Sequence, residues 1–258
     1  MDGLVAVVIP MYRTALDEYE LLSLRNTCKV LRNYPIIIAH PEGLQLNKVA
    51  ESYPQVQFKA FDPSFFKGIM GYNRLMLSSV FYDAFRSYQY ILICQLDAYI
   101  FRDELTEWCQ KGYDYIGAPW LKRRVYNLPF IKQWMWVVRN WQHALGKRSK
   151  QDLYDRIGNG GLSLRKVESH SKAVRDYAGL IEKYVNREKK MHLFNEDVFW
   201  ALEPQDFAYP SVEEALHFAF DKYPDLCFRK TGGKLPFGCH AWYKRKMKTF
   251  WDSLGVIE

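Results

Sequence analysis

The chain has 258 residues, 48% of them hydrophobic, 16% aromatic and 25% charged, which excludes an intrinsically disordered or collagen-like protein. Its length fits one large domain or two small ones, and its net charge of +7 comes from 36 basic and 29 acidic residues. Five cysteines, an odd number without a CxxC pair, favour a reduced, cytosolic protein without a structural zinc site. No apolar run reaches the roughly 18 residues of a membrane-spanning helix, and the first run is too short for a signal-peptide core.

The first hundred residues alternate between strand-like and helix-like patterns. Helices are predicted at Glu18–Leu31 and Tyr72–Phe85, where apolar side chains recur on one helical face. The alternation predicts an α/β protein with a mostly parallel central sheet flanked by helices, and places Asp97 at the edge where such sheets bind ligands. Strands are predicted where apolar residues run continuously, at Val5–Pro10, Pro35–His40, Val56–Phe61 and Tyr90–Asp97, and the first, second and fourth are expected to lie side by side.

The basic residues are concentrated in residues 121–151, which we call the basic aromatic segment. It contains eight Lys and Arg residues and no acidic residue, whereas the rest of the chain has 28 basic and 29 acidic residues. Apolar residues from Phe130 to Leu145 recur at helical spacing and predict an amphipathic helix. Trp134, Trp136 and Trp141, with nearby cations, suit a helix attracted to an anionic membrane surface. The alternative is that this stripe packs on the core while its charges are merely solvated.

The second half of the chain is predicted to continue the same domain. A turn at Gly158–Gly161 leads into a strand, Leu162–Arg165, and a helix follows over Val167–Asn186. Another helix begins near Asn195–Asp197. No repeat, linker or low-complexity tract is present, so we predict one domain over residues 1–258, with the basic aromatic segment as an insertion.

Three side-chain patterns could carry chemistry, and each also has a structural interpretation. Asp97 could meet a metal or a ribose hydroxyl, or it could simply cap a helix. Glu196 and Asp197 could complement a helix dipole, or one of them could be a general base with a raised pKa. His240 lies among aromatic residues, where a histidine is more often structural than a ligand. No GxGxxG or GxxxxGK[ST] phosphate loop is present.

Together these patterns match a known arrangement. The chain resembles a bacterial family long catalogued as of unknown function, which is similar to GT-A-fold glycosyltransferases of surface-polysaccharide gene clusters. The resemblance runs from about Val5 to Trp242. It is carried, in chain order, by the segments Tyr72–Leu75, Gln95–Phe101, Tyr113–Trp120, Gly158–Arg165, Asn195–Phe199 and Pro236–His240.

The resemblance implies roles for individual residues. Asp197 would be the base that deprotonates the acceptor, with Glu196 as the next candidate. Asp97 would hold the donor diphosphate and a metal ion, with His240 as a second metal or diphosphate ligand. The remaining assignments are donor binding for Pro10, Tyr12, Arg13, Lys67, Asn73 and Arg74, and sugar or acceptor contact for Asn159, Gly160 and Gly161.

One departure concerns the cofactor. The second aspartate of the family's DxD motif is replaced by Tyr99, so Mn²⁺ or Mg²⁺ would have one carboxylate and one imidazole as ligands. Lys67, Arg13 or Arg74 could neutralise the diphosphate charge instead.

The resemblance implies transfer of a hexosyl unit from a nucleotide sugar, expected to be UDP-linked, with inversion at the anomeric carbon. The acceptor would be a glycan or a polyprenyl-diphosphate-linked sugar in capsule, exopolysaccharide or O-antigen synthesis. The protein would be cytoplasmic and peripheral at the inner face of the cell membrane, without a nucleic-acid partner. Two alternatives remain open: a sugar nucleotidylyltransferase, whose glycine-rich loop is missing at Met11–Ala15, and a nucleic-acid-binding protein that uses the basic aromatic segment.

Overall fold

The computed structural model describes residues 3–186 and 192–257. In these ranges helices flank a central sheet, and a small second sheet stands beside it. The strands are β1 (Gly3–Pro10), β2 (Ile36–Pro41), β3 (Gln57–Phe61), β4 (Tyr88–Cys94), β5 (Tyr99–Ile100), β6 (Tyr115–Gly117), β7 (Leu162–Lys166), β8 (Ala219–Phe220) and β9 (Gly238–Cys239). The helices are α1 (Glu18–Val30), α2 (Asn47–Ser52), α3 (Gly68–Met76), α4 (Ser79–Asp83), α5 (Leu105–Gln110), α6 (Pro129–Ala144), α7 (Val167–Asp176), α8 (Ala178–Val185), α9 (Glu196–Leu202), α10 (Val212–Phe218), α11 (Pro224–Lys230) and α12 (Arg245–Leu254).

The central sheet has the order β3-β2-β1-β4-β7-β6. Its first four strands are parallel, which confirms the predicted neighbours, whereas β7 is antiparallel to both β4 and β6. Alternate residues of β1 enter two different cores: Val5, Val7 and Ile9 on one face, Ala6 and Val8 on the other. Burial on both faces explains why the strand sequences are continuously apolar rather than alternating.

Two predicted helices are each divided in the structure. The predicted helix Tyr72–Phe85 is α3 followed by α4, because extended Ser78 ends the first and its hydroxyl accepts the Phe81 N–H as the cap of the second. The predicted helix Val167–Asn186 is α7 followed by α8, because Tyr177 leaves helical geometry and packs its ring against Phe199. Local periodicity continues across both breaks, so the sequence pattern did not show them.

The basic aromatic segment projects helix α6 into solvent. Phe130, Trp134 and Trp141 are 89%, 67% and 65% exposed, so the interpretation that this stripe packs on the core is wrong. The helix is attached on its other side, where Met135 is buried and Asp152 accepts hydrogen bonds from Arg139 at 2.8 Å. Within the described ranges, no helix has the length and apolar character needed to cross a membrane.

The small sheet, of order β5-β9-β8, brings three chain segments to one point. Strands β8 and β9 are parallel, so the residues that follow them, Asp221 and His240, lie side by side. Strand β5 is antiparallel to β9, so Asp97, which precedes β5, lies at the same end. The backbone of His240 donates to Phe220 O at 2.9 Å, and that of Trp242 to Asp97 O at 3.2 Å, which closes the arrangement.

Candidate active site

A cavity of about 380 Å³ opens where β1 and β4 end. Chain order reverses between these strands, since β2 and β3 lie on one side of β1 and β4 on the other. Open α/β sheets bind ligands at such a switch point. The cavity, which we call the donor cavity after the role that we propose for it, is lined mainly by aromatic rings and by the ends of these two strands. Its lining includes Pro10, Tyr12, Phe65, Phe66, Tyr72, Gln95, Leu96, Asp97 and Tyr243.

Asp97, His240 and Asp221 form a carboxylate–imidazole–carboxylate row at the edge of this cavity. Nε2 of His240 lies 3.1 Å from Oδ1 of Asp97, and Nδ1 lies 2.9 Å from Oδ1 of Asp221. Burial opposes the charged form of His240, but the two carboxylates outweigh it and raise its pKa to about 10. Burial likewise opposes the charged form of Asp97, yet the His240 charge lowers the pKa of Asp97 below its usual value. The row therefore carries one imidazolium between two carboxylates at neutral pH.

Once Nε2 of His240 loses its proton, the row offers two protein ligands to a metal ion, that nitrogen and the Asp97 carboxylate. Nε2 of His240 is buried and lies beside Oδ1 of Asp97. Asp221 holds the other ring nitrogen, an arrangement that orients histidine ligands in metal sites. Among the described residues, no three His, Cys, Asp or Glu side chains form a complete ligand set. Tyr99 contributes none, because its ring packs against Trp242 in the core of the small sheet. The residues fit a Mg²⁺ or Mn²⁺ ion that a substrate diphosphate completes.

The glycine run Gly158–Gly161 makes room for neighbouring side chains. A Cβ on Gly161 would lie 2.2 Å from His240, and one on Gly160 would lie 1.9 Å from Oε1 of Glu196. Asn159 adopts a left-handed conformation (φ 61°), its Oδ1 accepts the Gly161 N–H, and its Nδ2 lies 3.0 Å from His240 Nδ1. All three residues are buried, and none lines the cavities described here. In the described structure Asn159, Gly160 and Gly161 pack against His240 and Glu196, and their expected contact with a sugar or acceptor stays a prediction.

Glu196 belongs to a buried ion pair. Its Oε2 lies 3.0 Å from Nη2 of Arg165, and both side chains are almost completely buried. Arg165 also donates to Ser163 Oγ at 3.0 Å and to the Tyr82 hydroxyl at 3.1 Å. Burial opposes the charged form of Arg165, but Glu196 and the surrounding tyrosines raise its pKa well above the usual value. The Glu196 carboxylate is thus paired with Arg165 and does not line the donor cavity.

Asp197, the next residue along α9, faces a second cavity of about 590 Å³. Its Oδ1 accepts the Val198 N–H at 2.9 Å and leaves the other oxygen free of hydrogen bonds within the described chain. Burial, followed by the Glu196 charge, raises the pKa of Asp197 to about 7. A carboxylate with this pKa can accept a proton near neutral pH. This second cavity, which we call the acceptor cavity after the role that we propose for it, is also lined by Trp120, Leu121, Lys150, Tyr154, Lys222 and Tyr223.

Residues 55–240 match the model of a family described as protein of unknown function (DUF5672). The chain belongs to this family. No curated protein matches it.

Solved structures similar to this DUF5672 chain are glycosyltransferases. The galactosyltransferase LgtC in complex with donor and acceptor sugar analogs is 13% identical, with a TM-score of 0.55 over 98% of this chain and 96% of that chain. The bifunctional glycosyltransferase WbbM is 15% identical, with a TM-score of 0.55 over 95% of this chain and 46% of that chain. The glycosyltransferase GlyE of Streptococcus pneumoniae is 11% identical, with a TM-score of 0.52 over 97% and 60%. This DUF5672 chain therefore has the GT-A fold.

Four residues assigned to the donor from the sequence of this DUF5672 chain do not themselves line the donor cavity, although Glu20, the ion-pair partner of Arg13, does. Asn73 is buried, and its Oδ1 accepts the Glu196 N–H at 3.1 Å. It therefore provides a hydrogen-bond partner for a backbone N–H in the first turn of α9, which has none within the helix. Arg74 is exposed and does not line the donor cavity, because it points away from Tyr72 on α3. Lys67 is likewise exposed and outside the lining, and Arg13 is ion-paired with Glu20 at 2.7 Å. Pro10, Tyr12 and Asp97 do line the cavity.

Four residues of the site were missed in the sequence. Asp221 follows a two-residue strand too short to be recognised as a strand. Tyr243 and Tyr72 resemble ordinary core aromatics. Arg165 carried a usable signal, because an arginine inside the apolar strand Leu162–Arg165 must find a buried partner.

Proposed function

We propose that the protein is a glycosyltransferase that moves a hexosyl unit from a UDP-linked sugar to an acceptor hydroxyl. The observation that carries this proposal is the pair of cavities: one lined by aromatic rings and Asp97, the other lined by a carboxylate whose pKa is near neutral. Asp221, the partner of His240, also contributes to the raised pKa of Asp197. The charged row lies beside both cavities, because Asp97 lines the first and Lys222, which follows Asp221, lines the second. The GT-A fold supports the proposal without identifying donor or acceptor.

In the proposed reaction, Asp197 accepts the proton of the acceptor hydroxyl. The acceptor oxygen forms a bond to the anomeric carbon, and the bond from that carbon to the diphosphate oxygen breaks. The imidazolium of His240 stabilises the negative charge that develops on the leaving diphosphate. A base on the face opposite the leaving group produces inversion. The anomeric configuration of the product, measured by NMR, tests this point, and retention would contradict it.

Alternatively, a divalent ion held by Asp97 and by Nε2 of His240 would displace the Nε2 proton and replace the charge of the imidazolium. The ion would then neutralise the diphosphate and make it a better leaving group. Asp221 would keep the imidazole oriented towards that ion. Glu196 and Arg165 act as positioning residues, because their ion pair fixes the first turn of α9 on which Asp197 lies.

Asp97→Asn is expected to weaken binding of UDP in the presence of Mn²⁺ by about tenfold or more, the usual cost of disturbing a metal-site carboxylate. Asparagine keeps the volume of the side chain but removes the charge that faces His240 and the metal. Calorimetric titration of UDP measures the effect. Asp252→Asn, which removes an exposed carboxylate that lines none of the cavities described here, is the matched control. Equal UDP affinity in the two variants would contradict the donor role of Asp97.

We also propose that the protein acts as a cytoplasmic enzyme of surface-polysaccharide synthesis, bound peripherally to the inner face of the cell membrane through α6. Its exposed aromatic face is accompanied by cations from the same segment, among them Lys132 and Arg124. Aromatic rings can enter the lipid interface, while each cation near an anionic surface contributes about 1 kcal/mol of attraction.

The protein is expected to sediment with vesicles that contain anionic lipid, and much less with neutral ones. Replacing Trp134 and Trp141 by alanine should remove the part of the binding that persists at high salt, because burial of apolar surface is not screened. Glutamine at Lys122, Arg123, Arg124 and Lys132 should remove the salt-sensitive part. Absence of sedimentation with anionic vesicles at low salt would rule out this membrane contact.

The two alternative functions predict different ligands. A nucleic-acid-binding protein should retain nucleic acid at physiological salt, yet the exposed face of α6 is aromatic rather than cationic. A nucleotidylyltransferase would need a phosphate loop after β1, where the chain instead forms the contact of Arg13 with Glu20. Retention of UDP without retention of nucleic acid supports the transferase.

A further inference from the structure

We propose that a basic groove beside the acceptor cavity binds the phosphate or diphosphate group of an amphipathic acceptor. This inference deepens the proposed function, on which it rests, by giving the chemical class of the acceptor. The groove has a volume of about 750 Å³ and lies between the segment before α6 and the helices α11 and α12. It is lined by five cations and one carboxylate, namely Arg123, Arg124, Arg229, Arg245, Lys246 and Asp225, together with Val125, Tyr223, Pro224, Leu226 and Thr249.

The cations of this groove come from three distant parts of the chain. Only Arg123 and Arg124 belong to the basic aromatic segment. Arg229 lies in the last turn of α11, and Arg245 begins α12. Convergence of like charges raises the free energy of the folded state unless an anion neutralises them. Within the described ranges, Arg124, Arg229, Arg245 and Lys246 form no ion pair with a carboxylate. These cations are therefore available for an anionic ligand.

The groove adjoins the acceptor cavity at Tyr223. This residue lines both, and it adopts a left-handed conformation (φ 55°, ψ 55°) immediately before α11. The guanidinium of Arg123 lies 5.8 Å from the centre of its ring, which joins the two walls of the groove. The preceding residues are Lys222, in the acceptor cavity, and Asp221, in the row with His240. One short loop thus connects the donor edge, the acceptor cavity and the basic groove.

The exposed aromatic helix follows the groove along the chain. Arg124 and Val125 line the groove, and α6 begins at Pro129 with the exposed ring of Phe130 next to it. A ligand with a sugar, a phosphate group and an apolar chain would match the succession of acceptor cavity, cations and aromatic face. Arginine suits the middle position because its planar donors bind two phosphate oxygens at once.

The test uses geranyl diphosphate, with geraniol and inorganic phosphate as comparison ligands, titrated into the full chain in the presence of saturating UDP. UDP fills the donor cavity, so the diphosphate probe reports the groove. The wild type is expected to bind geranyl diphosphate about tenfold or more tightly than either comparison ligand. Arg229→Gln combined with Arg245→Gln should weaken that binding by about tenfold or more, since two charge-assisted contacts are lost. UDP affinity should remain unchanged.

Arg32→Gln combined with Lys48→Gln is the matched control, because it removes the same charge from exposed positions outside every cavity described here. Equal affinity for geranyl diphosphate in the groove and control variants would overturn the proposal. The groove variant is also tested for sedimentation with vesicles of equal parts phosphatidylglycerol and phosphatidylcholine. If it no longer sediments but still binds geranyl diphosphate as the wild type does, the proposal is overturned, because the cations then contact only lipid headgroups. The protein could also bind geranyl diphosphate through the groove cations and fail to bind UDP. That result would support a phosphate site in the groove and reject UDP as the nucleotide of the donor.

Discussion

Asp197→Asn is expected to lower the turnover of hexosyl transfer by about 10² or more while the fold stays intact. Asparagine has nearly the same shape and can keep the hydrogen bond from the Val198 N–H, but it cannot take a proton from the acceptor hydroxyl. The measurement is the turnover number at saturating donor and acceptor, with thermal unfolding to verify the fold. Glu196→Gln is the matched comparison on the same helix turn. Turnover near the wild-type value in Asp197→Asn would reject Asp197 as the base.

The same assignment predicts the pH profile. Burial and the Glu196 charge raise the pKa of Asp197 to about 7, so the group is protonated and inactive below that pH. Turnover should therefore rise as the pH increases through about 7 and level off above it. Asp197→Asn should lose this rise together with its activity. A flat wild-type profile through the neutral range would mean that another group deprotonates the acceptor.

Arg165→Met is expected to destabilise the protein by about 3–5 kcal/mol, because it leaves the Glu196 charge buried without its partner. The hydrogen bonds of Arg165 to Ser163 and Tyr82 are lost as well. Urea unfolding followed by circular dichroism measures the change in the free energy of unfolding.

The double variant Arg165→Met, Glu196→Gln separates pairing from packing. Removing both charges should recover much of the lost stability, since a buried ion pair replaced by neutral groups is often close to neutral in free energy. If the double variant is as unstable as the single one, the effect comes from the shape of the arginine and not from its charge. Unchanged stability in Arg165→Met would show that the buried pair does not hold α9 in place.

Local signals in the sequence determined the parallel part of the sheet and the first helix. Strands β1, β2 and β4 match their predicted ranges to within three residues at each end, because burial on both faces requires continuous apolar runs. Helix α1 begins at Glu18 as predicted, since Asp17 and Glu20 form a capping box around its first turn. The strand before Asp97 also placed that carboxylate correctly, because strand direction decides which edge of the sheet binds ligands.

Only the tertiary structure decided which polar residues meet. The sequence suggested donor contacts for Asn73 and Arg74 and acceptor contacts for the glycine run. In the structure Asn73 accepts a backbone N–H of α9, and the glycines leave the space that His240 and Glu196 occupy. The sequence did not show that His240 lies beside Asp221, because β8 and β9 have two residues each and are too short for a periodic pattern.

The basic groove and the exposed side of α6 were also decided only by the tertiary structure. Helical periodicity identifies an apolar stripe but does not show whether the stripe faces the core or solvent, because that depends on what packs against it. The sequence alone predicted the features that depend on neighbouring residues along the chain: the apolar strands, the capped helix and the basic segment. The sites arise from contacts between residues far apart in sequence, such as Arg123 with Tyr223 or Asp97 with His240, and these contacts exist only once the sheets bring the segments together.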